Sequence, residues 1–160
     1  LIAKAMFSLA VAGTHGKTTT SSMVAHILRF SGMDMAAFLG GISSNYNSNL
    51  LINKDLSANT PVVLEADEFD HSFLHLFPNL AIVTSTDADH LDIYGNKNEL
   101  IDTFKAFTSQ IKPQGTLIIS AKAAKEVSQN LAQNVSVCAY ALNKSEIKNS
   151  ENFTILSAER

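Results

Sequence analysis

Cysteine, charge and long apolar runs are all scarce in this chain of 160 residues. A single cysteine, Cys138, excludes an internal disulfide, and together with the lack of a secretory leader it predicts a reducing, cytoplasmic setting. The apolar runs, such as 80–83 and 116–119, are far shorter than the roughly 20 residues of a membrane-spanning helix. Charged residues make up 17% of the chain, the net charge is −3, and no cluster of Lys and Arg is present. We therefore expect small-molecule partners, and neither nucleic acid nor a membrane.

Hydrophobic residues, in contrast, make up 46% of the chain. A chain of this length buries about 70% of its unfolded surface on folding, so it forms a full core without a disulfide or a metal. The composition predicts one globular domain over residues 1–160. Because the sequence starts at Leu1 without a methionine and stops at Arg160, we expect a piece of a longer protein.

Short apolar runs alternate with segments of helical character along most of the chain. The predicted strands are 7–12, 35–39, 61–65, 80–84, 116–120, 135–140 and 153–156, and the predicted helices end near 30 and span 96–111 and 122–131. This alternation predicts an α/β fold, a mostly parallel sheet flanked by helices, with ligands at the carboxyl ends of the strands.

Two features of the first half carry further expectations. Met23, Ile27 and Phe30 recur at helical spacing and form an apolar stripe on the first helix. Gly40-Gly41 is interpreted as opening a loop, and 42–59 as a long surface excursion that contains only a short strand near 50–52. Long loops in compact domains usually have a function.

The most informative segment follows the first strand and reads Gly-Thr-His-Gly-Lys-Thr-Thr-Thr over residues 13–20. Backbone N–H groups in a glycine turn that opens onto a helix N-terminus attract anions, because the unpaired donors and the helix dipole point to the same place. The strand before it and the helix after it indicate a P-loop type of nucleotide site, whereas the alternative is a Gly-Lys-Thr turn without function. Val11 stands at the first glycine position of the strict motif, and Gly13 supplies a glycine two places later.

In such a loop, Lys17 would reach the β- and γ-phosphates of the nucleotide, and the hydroxyl of Thr18 would bind the accompanying Mg²⁺. The residues predicted to contact the nucleotide are Gly13, Thr14, His15, Gly16, Lys17, Thr18 and Thr19.

Acidic residues follow the next two buried strands. Glu65, Asp67 and Glu68 come 48 or more residues after Lys17, where a nucleotide-binding sheet places an acid for its magnesium. A solvated turn is the alternative interpretation of these carboxylates. The segment 87–92 carries His90 among three aspartates, and a neutral imidazole there can bind a metal or act on a proton. His26, His71 and His75 are treated as structural, and Phe73 with its neighbours as a satellite apolar cluster.

Three motifs in this order and spacing resemble the Mur ligase family of ATP-dependent amide-forming enzymes: Gly-Thr-His-Gly-Lys-Thr-Thr-Thr, Glu-Ala-Asp-Glu and Asp-Ala-Asp-His-Leu-Asp-x-Tyr. The resemblance covers essentially the whole chain and implies the central ATP-binding domain of a three-domain ligase, without its N- and C-terminal domains. It implies ATP, UDP-N-acetylmuramate and L-alanine as substrates and Mg²⁺ as cofactor. Lys17, Glu65 and His90 would act in catalysis, with Thr18 and Glu65 on one Mg²⁺ and His90 with Glu65 on a second. Ser85 departs from the family pattern, which has Asn at this position.

Alternatives remain open at this point. Within the same chemistry, a ligase that attaches a preformed tripeptide in muropeptide recycling and folylpolyglutamate synthase share the loop. A P-loop hydrolase or kinase needs no amine acceptor, and a regulatory nucleotide-binding module performs no chemistry.

Overall fold

The computed structural model describes residues 7–53, 57, 60–68, 72–87, 96–141 and 154–157 of the chain. Its strands are β1 (Ser8–Ala12), β2 (Ala36–Ser43), β3 (Ser48–Ile52), β4 (Val62–Glu65), β5 (Leu80–Val83), β6 (Thr116–Ser120), β7 (Ser136–Ala141) and β8 (Thr154–Ser157). The helices are α1 (Lys17–Phe30), α2 (Lys97–Ser109) and α3 (Ala121–Val127), with a 3₁₀ turn at Ser72–His75. Within these ranges no helix has the length and apolar character needed to cross a bilayer.

The described strands form one sheet in the order β3-β2-β4-β1-β5-β6-β7-β8. The pairs are parallel except for β2 and β3, which run antiparallel as a hairpin. β1 lies between β4 and β5, so the chain leaves β1 toward one edge of the sheet and later returns to its other side. Such a reversal creates a crevice at the carboxyl ends of the strands, where open α/β sheets bind ligands. The predicted α/β fold with a mostly parallel sheet is confirmed.

Apolar residues cover both faces of the sheet. On one face, α2 and α3 pack over the central strands, and Phe104 and Phe107 of α2 are fully buried. Phe73 lies edge-on to Phe104 at 5.9 Å and stacked on Phe107 at 5.0 Å between ring centroids. The prediction of a satellite cluster at Phe73 is therefore wrong, because this ring is part of the main core.

The second face is covered by α1, which packs on the sheet through residues other than the apolar stripe noted in its sequence. Met23, Ile27 and Phe30 are 59%, 61% and 86% exposed, whereas Ser21 and Ala25 are fully buried. The helix begins directly after the short loop from β1, so the loop sets its rotation and brings its small side chains onto the sheet. The predicted apolar stripe of α1 therefore faces outward.

The chain after β1 and α1 is also more regular than expected. β2 continues through Gly40 and Gly41 to Ser43, where a loop was predicted, because β3 pairs with it at 36–38 and again at Ser43, with an irregularity in the register between them. The surface excursion thus contains the second strand of a hairpin.

Helix ends follow local chemistry. Asn96 caps α2 by accepting a hydrogen bond from the Glu99 N–H at 3.1 Å, as the Asn-x-x-Glu signature predicts. α3 ends at Val127, four residues before the predicted end at Leu131, and a turn with Asn130 at φ 63° follows it. Asn adopts this left-handed conformation more readily than most residues, so the turn that follows the helix forms at low cost.

Candidate functional site

The crevice beside β1 is built on a four-residue turn, residues 13–16, which we call the glycine loop. Gly16 is the N-cap of α1, and the N–H of Thr20 donates to its carbonyl at 2.9 Å. The N–H groups of Lys17, Thr18 and Thr19 therefore stand at the start of the helix, where intrahelical acceptors are missing. With the positive end of the helix dipole, these donors form an anion site.

The first half of the glycine loop is turned toward the segment after β5. The Thr14 N–H donates to the Ser85 carbonyl at 3.1 Å, and the His15 N–H donates to Ser85 Oγ at 2.9 Å. The amides of these two residues are therefore engaged by protein atoms. Among the residues predicted to contact the nucleotide, those from Gly16 to Thr19 have their amides at the start of α1.

Lys17 lies along the loop. Its Nζ donates to the Gly13 carbonyl at 2.9 Å and to Glu68 Oε1 at 2.8 Å, with Glu68 Oε2 also at 2.8 Å. Asp67 Oδ1 is 3.9 Å away. The side chains of Lys17 and Glu68 are 14% and 1% exposed, so this ion pair is nearly removed from water. The sequence placed Glu68 in an acidic cluster, but its pairing with Lys17 was not foreseen.

Glu65 ends β4 next to the start of α1. Its Oε1 accepts from Thr18 Oγ1 at 2.7 Å, and its Oε2 accepts from Ser21 Oγ at 3.2 Å and from the Gly40 N–H at 2.6 Å. A Cβ on Gly40 would lie 2.3 Å from Glu65 Oε1, so only glycine leaves room for this carboxylate. The paired hydroxyl and carboxylate oxygens are the hard ligands that Mg²⁺ prefers, so Thr18 and Glu65 fit a magnesium ion. Ser21 and Gly40 were not identified from the sequence.

The segment after β5 is described as far as Asp87. Lys122 Nζ donates to Asp87 Oδ1 at 2.6 Å, and this hydrogen bond holds the pKa of Asp87 below its usual value. His90 lies outside the described residues, and so does the second metal position predicted for it. In the part of the chain that the structure describes, no cluster of three or more His, Cys, Asp and Glu residues is placed to hold a metal.

A cavity of about 310 Å³ adjoins the start of α1 on the side of the β2–β3 hairpin. Thr19, His26 and Asn45 contribute to its wall. His26 Nδ1 and Tyr46 Oη share a hydrogen bond of 2.8 Å, which ties the helix to the hairpin. The predicted structural role of His26 agrees with this contact.

Curated relatives of this chain are UDP-N-acetylmuramate–L-alanine ligases. The protein of Flavobacterium psychrophilum is 56% identical over 119 residues, covering 74% of this chain and 26% of the relative. That of Parabacteroides distasonis is 48% identical over 154 residues, covering 96% of this chain and 32% of the relative. The chain thus spans about a quarter to a third of the length of the relatives it matches.

Solved structures share the fold. The UDP-N-acetylmuramate–alanine ligase of Thermotoga maritima is 28% identical, with a TM-score of 0.65 over 86% of this chain and 30% of that chain. The UDP-N-acetylmuramate:L-alanyl-γ-D-glutamyl-meso-diaminopimelate ligase of Neisseria meningitides is 24% identical and has a TM-score of 0.74. The match covers 90% of this chain and 51% of that chain. The MurF ligase of Thermotoga maritima, solved with ADP, is 20% identical and has a TM-score of 0.62. The match covers 84% of this chain and 33% of that chain.

The family model for the Mur ligase middle domain matches residues 11–158, which include the glycine loop, Glu65 and the whole described sheet from β2 to β8. The chain therefore belongs to the Mur ligase family, in which it is a middle domain.

Proposed function

We propose that this chain is the central, ATP-binding domain of a three-domain ligase that joins L-alanine to UDP-N-acetylmuramate in peptidoglycan biosynthesis. The observation that carries the proposal is the convergence of the α1 N-terminus, Lys17 and Glu65 at the reversal point of the sheet. The relatives at 48–56% identity carry this activity in their names, which favours alanine over a preformed tripeptide as the added group. A lone Cys138 fits a cytoplasmic setting for the reaction.

The proposed reaction brings two anions together. A carboxylate of the muramyl group attacks the γ-phosphorus of ATP and displaces ADP. The amine of L-alanine then attacks the resulting acyl phosphate, which forms the amide and releases phosphate. The helix amides at Lys17, Thr18 and Thr19 would bind the phosphates, and the Lys17 ammonium would oppose their charge. Thr18 and Glu65 would hold Mg²⁺, which supplies further screening of the phosphate charge when bound. The protein mainly orients these groups and stabilises the charge that develops.

Glu65→Gln is expected to remove most of the increase in ATP affinity that Mg²⁺ causes, because it takes the negative charge from the proposed metal site while preserving its shape. Titration of ATP with and without Mg²⁺ measures this increase as a ratio of two affinities. We expect the ratio to fall about tenfold, which is the cost of one charged contact. Glu126→Gln is the matched control, because Glu126 is 49% exposed and lies on α3. An unchanged ratio in Glu65→Gln, with an unchanged melting temperature, would exclude Glu65 as a metal ligand.

The 160-residue chain alone is expected to form no amide bond. Orienting the reacting groups supplies about 7–11 kcal/mol of catalysis, and the resemblance assigns the binding of UDP-N-acetylmuramate and L-alanine to other domains. An open site also leaves water around the phosphates, which weakens each electrostatic contact. The assay combines chain, ATP, Mg²⁺, UDP-N-acetylmuramate and L-alanine and follows phosphate and UDP-N-acetylmuramoyl-alanine, with the Flavobacterium psychrophilum ligase as positive control. A rate of about 1 s⁻¹ from the chain would mean that these residues hold a complete active site.

A further inference from the structure

We propose that Thr84 and Ser85, the two residues directly after β5, are positioning residues for nucleotide binding. They hold the first half of the glycine loop so that Lys17 and the start of α1 face the phosphates. We call this pair the loop clamp. The inference rests on the proposed function, because it assigns the clamp to the same nucleotide site.

The loop clamp contacts the glycine loop through side chains as well as backbone. Ser85 Oγ accepts from the His15 N–H at 2.9 Å and shares a hydrogen bond of 2.9 Å with Thr14 Oγ1. Thr84 Oγ1 lies 3.1 Å from the Ala12 carbonyl and 2.5 Å from the His15 carbonyl, to which it donates. The two hydroxyls thus bond residues on both sides of Gly13.

The fit between the loop clamp and the glycine loop is close. A Cβ on Gly13 would lie 2.1 Å from Thr84 Oγ1 and 2.9 Å from the Ser85 N, so the loop backbone rests directly on the clamp. The Thr84 N–H donates to the Ala12 carbonyl at 3.0 Å, which extends the pairing of β1 with β5 into the clamp.

A third residue supports the clamp from two strands away. Tyr140 of β7 donates its hydroxyl to the Thr84 carbonyl at 2.8 Å. Burial raises the pKa of Tyr140, so its hydroxyl keeps the proton that it donates. The clamp is therefore held by the sheet on one side and holds the loop on the other.

The clamp reaches the lysine through the loop backbone. Lys17 Nζ donates to the Gly13 carbonyl at 2.9 Å, and Gly13 lies between the residues that the clamp bonds. The position of that carbonyl sets where the ammonium rests before a phosphate arrives. A displaced loop would move both the Lys17 ammonium and the first amides of α1, which costs affinity without removing any phosphate-binding group.

Two pairs of variants test the clamp. Ser85→Ala removes both hydroxyl contacts, and Ser85→Thr keeps a hydroxyl. Thr84→Val removes a hydroxyl at nearly constant shape, and Thr84→Ser restores it. We expect Ser85→Ala and Thr84→Val each to weaken Mg-ATP binding about tenfold, from the loss of hydrogen bonds that position the loop. Ser85→Thr and Thr84→Ser are expected to stay within about threefold of the wild type.

Three further readouts separate positioning from a general loss of structure. Amide hydrogen exchange at His15 is expected to speed up about tenfold in Ser85→Ala, because that N–H loses its acceptor. Ser109→Ala removes a hydroxyl that donates to the Ala106 carbonyl on α2 and is the matched control. It should change neither the Mg-ATP affinity nor the exchange rate of the His15 amide. Circular dichroism and melting temperature confirm that each variant is folded, and the Thr84 pair replaces the Ser85 pair if Ser85→Ala unfolds.

The outcomes distinguish the inference from the proposed function. If Lys17→Met lowers Mg-ATP binding and both Ser85→Ala and Thr84→Val bind like the wild type, the clamp is overturned and the nucleotide site stands. If the hydroxyl-retaining variants bind as weakly as the hydroxyl-free ones, side-chain shape matters instead, and the clamp is again overturned. Equal Mg-ATP binding by the wild type and Lys17→Met removes Lys17 from the nucleotide site and overturns the clamp, which acts by positioning Lys17. No Mg-ATP binding by the wild type overturns the proposed function and the inference with it.

Discussion

Lys17→Met is expected to lose nearly all Mg-ATP affinity and to destabilise the fold at the same time. Charge-assisted bonds from a lysine to phosphate contribute on the order of 1.5–3 kcal/mol, so we expect binding to weaken about 10- to 100-fold. The loss of stability arises because Glu68, at 1% exposure, has both carboxylate oxygens 2.8 Å from the Lys17 ammonium. Removing this cation leaves a buried carboxylate uncompensated, which costs about 3–5 kcal/mol in the free energy of unfolding.

The two effects separate in the double variant Lys17→Met/Glu68→Gln. A neutral amide at residue 68 no longer needs a buried cation, so the double variant should regain much of the stability without regaining ATP affinity. Urea unfolding and calorimetric titration measure the two quantities. Lys105→Met is the matched control, because Lys105 pairs with the exposed Asp102 on α2 and such surface pairs contribute little. Wild-type affinity and stability in Lys17→Met would remove Lys17 from both roles.

Gly13→Ala is expected to be the most destabilising single-methyl change in the glycine loop. Gly13 has φ 132°, a conformation that residues with a Cβ rarely adopt, and the added carbon would lie 2.1 Å from Thr84 Oγ1 and 3.0 Å from the Ser85 carbonyl. The backbone strain costs about 1–3 kcal/mol, and the steric overlap costs a similar amount. Because the chain relieves the overlap by moving the loop away from β5, Mg-ATP affinity should fall together with stability.

Gly32→Ala isolates the conformational part of this cost. Gly32 has φ 79°, and no atom lies within 4 Å of the position of an added Cβ. We expect a loss of about 1 kcal/mol and unchanged nucleotide binding. Chemical denaturation of both variants gives the comparison. Equal losses for Gly13→Ala and Gly32→Ala would show that the contact between the glycine loop and residues 84–85 is not tight in solution.

Elements whose signals are local were predicted closely. β6 was predicted at 116–120, which is where it lies, because a short apolar run between a Pro-Gln-Gly turn and a helix has few other interpretations. α2 was located by the Asn96–Glu99 cap, which depends only on residues three apart. The same applies to the glycine loop, whose glycine, lysine and threonine are adjacent in the chain.

Elements whose orientation depends on distant partners were predicted less well. The stripe of Met23, Ile27 and Phe30 is a valid helical pattern, yet helical periodicity alone does not say which face meets the sheet. β2 extends through two glycines because β3 pairs with it, and a strand's hydrogen-bonding partner is not encoded in its own residues. Phe73 is distant in sequence from Phe104, so their contact appears only when the core forms.

The α/β class, the nucleotide loop and the acidic strand ends follow from the sequence alone, because each depends on the types and spacing of neighbouring residues. The contacts that complete the site do not. The hydrogen bond between Lys17 and Glu68 joins residues 51 positions apart in the sequence. The bonds of His15 with Ser85 and of Gly40 with Glu65 join residues 70 and 25 positions apart. The register of the parallel strands decides these contacts, since β1 pairs with β4 on one side and β5 on the other. A shift of one residue in either register would turn the side chains at these strand ends to the opposite face of the sheet.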